Sequence, residues 1–126
     1  MRKRASVVVI DDDAEFRETL CDVVAREGGR ALAFDDARQA LRYLERNGAA
    51  LVFLDLQMPG TDGWLALREM KQSPALRRLP VVVISAAQRQ SAMMLGAGVE
   101  CYLEKPVSLA DVAALVGRFL PPRAVG

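Results

Sequence analysis

Leu51–Gly63 reads LVFLDLQMPGTDG. Four apolar residues, Leu51, Val52, Phe53 and Leu54, run into one carboxylate, Asp55, and the chain then turns through Pro59-Gly60, Thr61 and Asp62-Gly63. A short apolar run with β-branched and aromatic members, closed by Pro and Gly, predicts a buried parallel strand. An unpaired carboxylate is costly to desolvate, so the acid belongs at the end of such a strand and not inside it. In open α/β sheets those carboxyl ends border the crevice that takes ligands. Asp55 is therefore the first candidate functional residue. The competing role, a helix cap, is better filled by Thr61 or Asp62.

Outward from this stretch, the same grammar repeats. Ser6–Ile10 (SVVVI) predicts a first strand, followed at once by Asp11, Asp12 and Asp13. The next segment places Phe16, Leu20, Val23 and Val24 on one helical face and stops at Gly28-Gly29. Ala31–Phe34 is a short second strand. Asp35 or Asp36 caps a second helix with inner residues Ala37, Ala40, Leu41 and Leu44, halted by Asn47-Gly48. Beyond Asp55, Thr61 or Asp62 opens a third helix, with Trp64 near its start and Leu67 and Met70 inward, closed by Ser73-Pro74. Val81–Ser85 (VVVIS) is a fourth strand. A short helix is expected over Gln88–Ala97, with Met93 and Met94, and a fifth strand over Glu100–Leu103. Leu109, Val112, Ala113, Val116 and Phe119 form the inner stripe of a last helix before Pro121-Pro122. Five strand–helix alternations predict an α/β fold: a doubly wound, flavodoxin-like five-stranded parallel sheet of order 2-1-3-4-5 with five helices.

At 126 residues, 52% hydrophobic and 26% charged, the chain has material for one domain with a real core. We expect a folded domain over 1–120 and a short tail over 121–126. The net charge of +1 makes no electrostatic case for nucleic acid. No apolar run approaches a membrane span, and the run after Arg2-Lys3-Arg4 is too short for a signal peptide, which leads us to expect a cytoplasmic protein. Cys21 and Cys101 lack metal-ligand spacing and there is no histidine, so zinc sites, redox dithiols and His-assisted nucleophiles are unsupported. Two free, half-buried thiols are expected.

In the 2-1-3-4-5 order, the ends of neighbouring strands bring Asp11-Asp12, Asp55 and Ser85 to one edge, with Lys105 following the fifth strand. Singly, these are an N-cap, a turn residue and a solvated charge. Together they are a site. Clustered carboxylates without imidazole or thiolate partners favour a hard cation, and Mg²⁺ takes one or two carboxylates while keeping waters and phosphate oxygens. A carboxylate beside such a cation, an ammonium and a hydroxyl is a nucleophile for phosphoryl transfer, giving an acyl phosphate on Asp55.

The segments VVVIDDD, LVFLDLQMPGTDG, VVVISA and CYLEKP, in this order and spacing, resemble the receiver domain of two-component response regulators (the CheY-like family), over essentially the whole length. The resemblance implies that Asp55 is the phosphoacceptor. It implies that Mg²⁺ is bound directly by Asp12, mainly through water by Asp11, and also by Asp55 and the backbone carbonyl of Gln57. Ser85 would be the switch hydroxyl, Tyr102 an aromatic rotamer switch and Lys105 the phosphate partner, with a cis Lys105-Pro106 bond. Gln57 and Ala87 would flank the path of hydrolytic water and set a slow dephosphorylation. Ser85 stands where threonine is commoner and lacks the methyl that stiffens χ1. The stretch from Ser85 to Gly98 is shorter than the family habit, which makes the helix before Gly98 small.

The resemblance implies a phosphodonor, either a histidine kinase or a histidine phosphotransfer protein. It also implies a protein target on the face made by the fourth helix, fifth strand and last helix, with the chain a monomer or weak homodimer acting as a stand-alone module. The net charge of +1, the lack of a helix-turn-helix pattern and the short stretch after Phe119 lead us to expect no DNA output from this chain, and the resemblance implies no enzymatic turnover beyond its own phosphorylation and dephosphorylation. Three other readings compete. A haloacid-dehalogenase-type phosphatase would use Asp11 and Asp13 as a DxD pair, but Ala14-Glu15-Phe16 departs from its turn and its usual cap domain has no room. A pseudo-receiver would lack the intact acid, hydroxyl and lysine set. A flavodoxin-like nucleotide binder would need a Gly-rich loop after the first strand, where this chain has acids.

Overall fold

The computed structural model describes residues 5–58, 61–86 and 98–121, with backbone alone at 61–62. Five strands form one parallel sheet: β1 (Ser6–Ile10), β2 (Arg30–Phe34), β3 (Leu51–Asp55), β4 (Val81–Ser85) and β5 (Cys101–Glu104). Their order is β2-β1-β3-β4-β5, the expected one. All pairings are parallel, with Val8 opposite both Leu32 and Val52, and Asp55 opposite Ile84. The described residues hold four helices: α1 (Ala14–Arg26), α2 (Ala37–Asn47), α3 (Gly63–Gln72) and α4 (Leu109–Phe119). The remaining expected helix, Gln88–Ala97, lies outside the described residues, as do Arg2–Arg4, Ala87, Met93, Met94 and most of the tail.

Alternation along the strands sorts the core into two layers. Val8, Ile10, Val52, Leu54, Val81 and Val83 face one way and pack with Ala37, Ala40 and Leu44 of α2 and Leu67 and Met70 of α3. Val7, Val9, Leu51, Phe53, Val82 and Ile84 face the other, against Leu20, Val23 and Val24 of α1 and Val112 and Val116 of α4. Strands β3 and β4 are buried along their whole length, which is why they read as continuous apolar runs.

The helix ends follow their local chemistry. Asp13 caps α1, its side chain accepting from Phe16 N–H, and Asp36 caps α2, accepting from Arg38 N–H. Helix α2 stops at Gly48, whose φ of 67° is open to glycine at no steric cost. The start of α3 was expected at Thr61 or Asp62. It begins at Gly63, directly after Asp62, and Thr61–Asp62 also pair as a two-residue antiparallel ribbon with Gln57–Met58. The last strand sits one residue later than expected, with Glu104 drawn into register opposite Ser85. Lys105-Pro106 is cis, as the resemblance implied.

Candidate functional site

The carboxyl edge of the sheet gathers the site. Asp11 follows β1 directly and is held there by its N–H donating to Phe34 O at 3.1 Å. Asp55 ends β3. Both are almost fully buried, Asp11 1% and Asp55 2% exposed, whereas Asp12 is exposed. One carboxylate oxygen from each of Asp11, Asp12 and Asp55 lies within 4.8 Å of the others. This donor set is all oxygen, acidic and open on the Asp12 side, which fits a hard divalent cation that keeps some of its waters.

Each buried carboxylate is oriented by backbone. Asp11 Oδ1 accepts from Asp13 N–H at 2.9 Å, and Asp55 Oδ1 accepts from Gln57 N–H at 2.9 Å. The remaining oxygens face one ammonium: Lys105 Nζ lies 3.1 Å from Asp11 Oδ2 and 3.4 Å from Asp55 Oδ2. Burial pushes the Asp11 carboxyl above its usual range, with Asp55 adding to the rise, while Asp13 N–H and Lys105 act against it. Burial works against the Lys105 charge, but Asp11 and Asp55 together outweigh it and hold the ammonium above its ordinary value. Asp11 and Asp55 thus share Lys105, and Asp12 adds a third acid to the cluster.

Ser85 is fully buried at the end of β4, and its carbonyl accepts from Lys105 N–H at 3.0 Å. The hydroxyl-bearing strand end and the lysine loop are therefore tied together. Tyr102 is half-buried in β5 and packs on the core layer of α2 and α3, while its neighbour Leu103 packs on the opposite layer. The Gln57 side chain is exposed. Ala87 falls outside the described residues. Asp11, Asp12, Asp55 and Lys105 are brought together as expected, with Ser85 at the adjoining strand end.

Three contributors escape a reading by motif. Arg17 Nη1 donates to Asp11 O at 2.8 Å, pinning the acid loop from α1. The Phe16 ring, expected only as core, lies under Lys105, with Nζ 4.7 Å from its centroid. Gly63 lets α3 touch β3: a Cβ there would fall 2.6 Å from Leu56 Cα and 2.9 Å from Asp55 O. Of these, only Gly63 carried a local signal, since a glycine closing the turn after Asp55 allows close backbone approach.

The family model of the response regulator receiver domain matches residues 7–117. The chain belongs to this family. Among relatives, the two-component response regulator ORR11 of rice (Oryza sativa subsp. indica) is 30% identical over 91% of this chain and 80% of its own. The phosphate regulon transcriptional regulatory protein PhoB of Escherichia coli is 28% identical over 94% of this receiver domain, which spans 54% of PhoB. Among solved structures, a response regulator receiver protein from Pseudomonas putida superposes with a TM-score of 0.84 at 29% identity, covering 94% and 99% of the two chains. The receiver domain of the sensor histidine kinase PA1611 from Pseudomonas aeruginosa superposes at 0.80 with 25% identity over 92% and 97%, and carries a magnesium ion in its active site cleft. The protein is thus a receiver domain of two-component phosphorelay signalling, and the phosphatase and nucleotide-binder readings are not favoured. Cys21 and Cys101 are free and half-buried, as expected. Among the described residues no helix is long and apolar enough to cross a membrane.

Proposed function

We propose that Asp55 accepts a phosphoryl group from a phosphohistidine on a histidine kinase or phosphotransfer protein in the cytoplasm. The observation that carries this reading is the buried Asp55 carboxylate beside two further acids and one bridging ammonium. An oxygen of Asp55 attacks phosphorus in line as the bond to the donor imidazole nitrogen breaks. The product is an acyl phosphate, and the imidazole, protonated on its other ring nitrogen in the donor, takes the electron pair of the broken bond and leaves neutral. Gln57 N–H holds the carboxylate in place. Lys105, released from Asp55, turns to a phosphoryl oxygen. The Ser85 hydroxyl at the neighbouring strand end donates to another. Asp11, Asp12, Asp55 and the Gln57 carbonyl would hold Mg²⁺, which would supply charge neutralisation for the transferring group.

Movement of Ser85 toward the phosphoryl group frees space that the Tyr102 ring takes up, which alters the surface around β5 and Leu103. A protein target read on that face gives a phosphorylation-gated output. Its range is set by the difference in phosphoryl contacts between the two conformers, and hydrogen bonds to a charged group at about 1.5–3 kcal/mol each are enough to invert a minor population. With alanine at position 87 and glutamine at 57, we place dephosphorylation at the slow end. The domain turns over no other substrate.

The test is acid-stable, base-labile labelling by acetyl phosphate, read by intact mass. One phosphoryl group is expected with Mg²⁺ and none in chelator. Undiminished labelling of Asp55→Ala would overturn the assignment. Equal affinity for a captured target with and without beryllofluoride would leave a phosphate shuttle and no gate.

A further inference from the structure

A lysine that must meet an incoming phosphoryl group has four rotatable stem bonds to restrain, and two carboxylates alone would hold it only as salt bridges do. The structure supplies a third contact. Lys105 Nζ sits 3.1 Å from Asp11 Oδ2, 3.4 Å from Asp55 Oδ2 and 4.7 Å from the centroid of the Phe16 ring. The last distance is inside the ~6 Å reach of a cation–π contact. The ring is itself well placed. Phe16 lies in the first turn of α1, where its N–H donates to the capping Asp13 side chain, and its half-buried ring packs on the core layer beneath. Lys105 is 26% exposed, so water competes only in part for the ammonium.

We propose that Phe16 is a positioning residue for Lys105, its ring face seating the ammonium at the mouth of the acid cleft. This rests on the reading of Lys105 as phosphate partner. An aromatic face attracts a cation without a full acceptor charge of its own. When the phosphoryl group arrives, Lys105 must give up at least its Asp55 contact, whereas nothing in the incoming charge displaces it from the ring. The ring therefore holds the lysine through the exchange of anionic partners, where carboxylates alone would trade it. The acid triplet contributes at both ends, because Asp11 pairs with the lysine and Asp13 caps the turn that carries the ring.

Two measurements on the full chain test this. The first is the ring-current shift of the Lys105 Hε protons by NMR, in wild type, Phe16→Leu and Phe16→Tyr. The expected result is upfield Hε resonances in wild type and Phe16→Tyr and ordinary ones in Phe16→Leu. The second is the initial rate of Asp55 labelling by acetyl phosphate at saturating Mg²⁺, in the same proteins and in chains carrying mono-, di- and trifluorophenylalanine at position 16. Phe16→Leu should slow labelling about two- to fivefold, the size of a part-exposed cation–π contact. Phe16→Tyr should restore it, and the rate should fall stepwise with each fluorine, since fluorination drains the ring face while barely changing its shape. A flat fluorine series, or Hε shifts alike in wild type and Phe16→Leu, overturns the proposal. Absence of labelling in wild type with the Hε shift present would instead bring down the phosphoacceptor reading, and with it any role of the ring in transfer.

Discussion

Gly63 fixes how near α3 can come to the strand that ends in Asp55. An added methyl would meet backbone atoms of Leu56 at 2.6 and 2.8 Å, which no side-chain rotation relieves. Gly63→Ala is expected to cost about 2 kcal/mol or more, seen as an earlier midpoint in urea, and to slow Asp55 phosphorylation because the displaced backbone carries the proposed nucleophile. An unchanged midpoint would mean α3 slides freely on β3. Lys71 shows the cost of a part-buried charge. Burial pulls its ammonium below the ordinary 10.5, Glu100 recovering some of it, and Nζ donates to Arg77 O at 3.4 Å. A lowered lysine is protonated less readily folded than unfolded, so stability rises with pH across the window below 10.5 and is reduced at neutrality. Lys71→Met should therefore raise the melting temperature at pH 7 by no more than about 2 °C, given the solvent screening, with the gain shrinking as pH approaches 10.5. A gain independent of pH would assign it to packing.

At the scale of elements, each strand was legible because its apolar run ends in a residue of a different kind: Asp11 after β1, Asp55 in β3, Ser85 in β4. The acids, the hydroxyl and the lysine converge because the parallel order puts all these ends on one edge, and that order follows from alternation. The Gln57–Met58 and Thr61–Asp62 ribbon was not legible, since two-residue strands have no period to read, and the turn signals there fit a helix cap equally well. The one-residue shift of β5 was beyond reach for a similar reason: Glu100 and Glu104 flank the apolar core of the strand symmetrically, and only pairing with Ser85 breaks the tie. Phe16 read as helix core because its partner lies far along the chain. Helix α4 offers an element-scale test. Ser108 Oγ accepts from Asp111 N–H at 3.3 Å, and the cap follows two residues after Pro106. Ser108→Ala should cost about 1 kcal/mol by chemical denaturation and leave the rate of Asp55 labelling within twofold. A larger kinetic loss would show that the cap also steadies the lysine loop.

For the whole molecule, the balance of charge at the site links stability to metal. Asp11, Asp12 and Asp55 lie within a few ångströms of one another, and Lys105 pairs with only two of them, Asp11 and Asp55, so the metal-free fold bears their repulsion. A cation that binds the folded cluster and not the unfolded chain stabilises by mass action. Millimolar Mg²⁺ at constant ionic strength is expected to raise the melting temperature by several degrees, and Asp12→Asn should abolish most of that response while raising the metal-free midpoint. Calorimetry showing identical melts with and without Mg²⁺ would remove the metal from the account. The same four residues also impose an order in time. Asp11 is made early, Asp55 midway and Lys105 near the end of the described chain, and the ammonium reaches its seat only when β5 has docked beside β4. A growing polypeptide that has reached only β4 holds these acids without the counter-charge that Lys105 brings to Asp11 and Asp55.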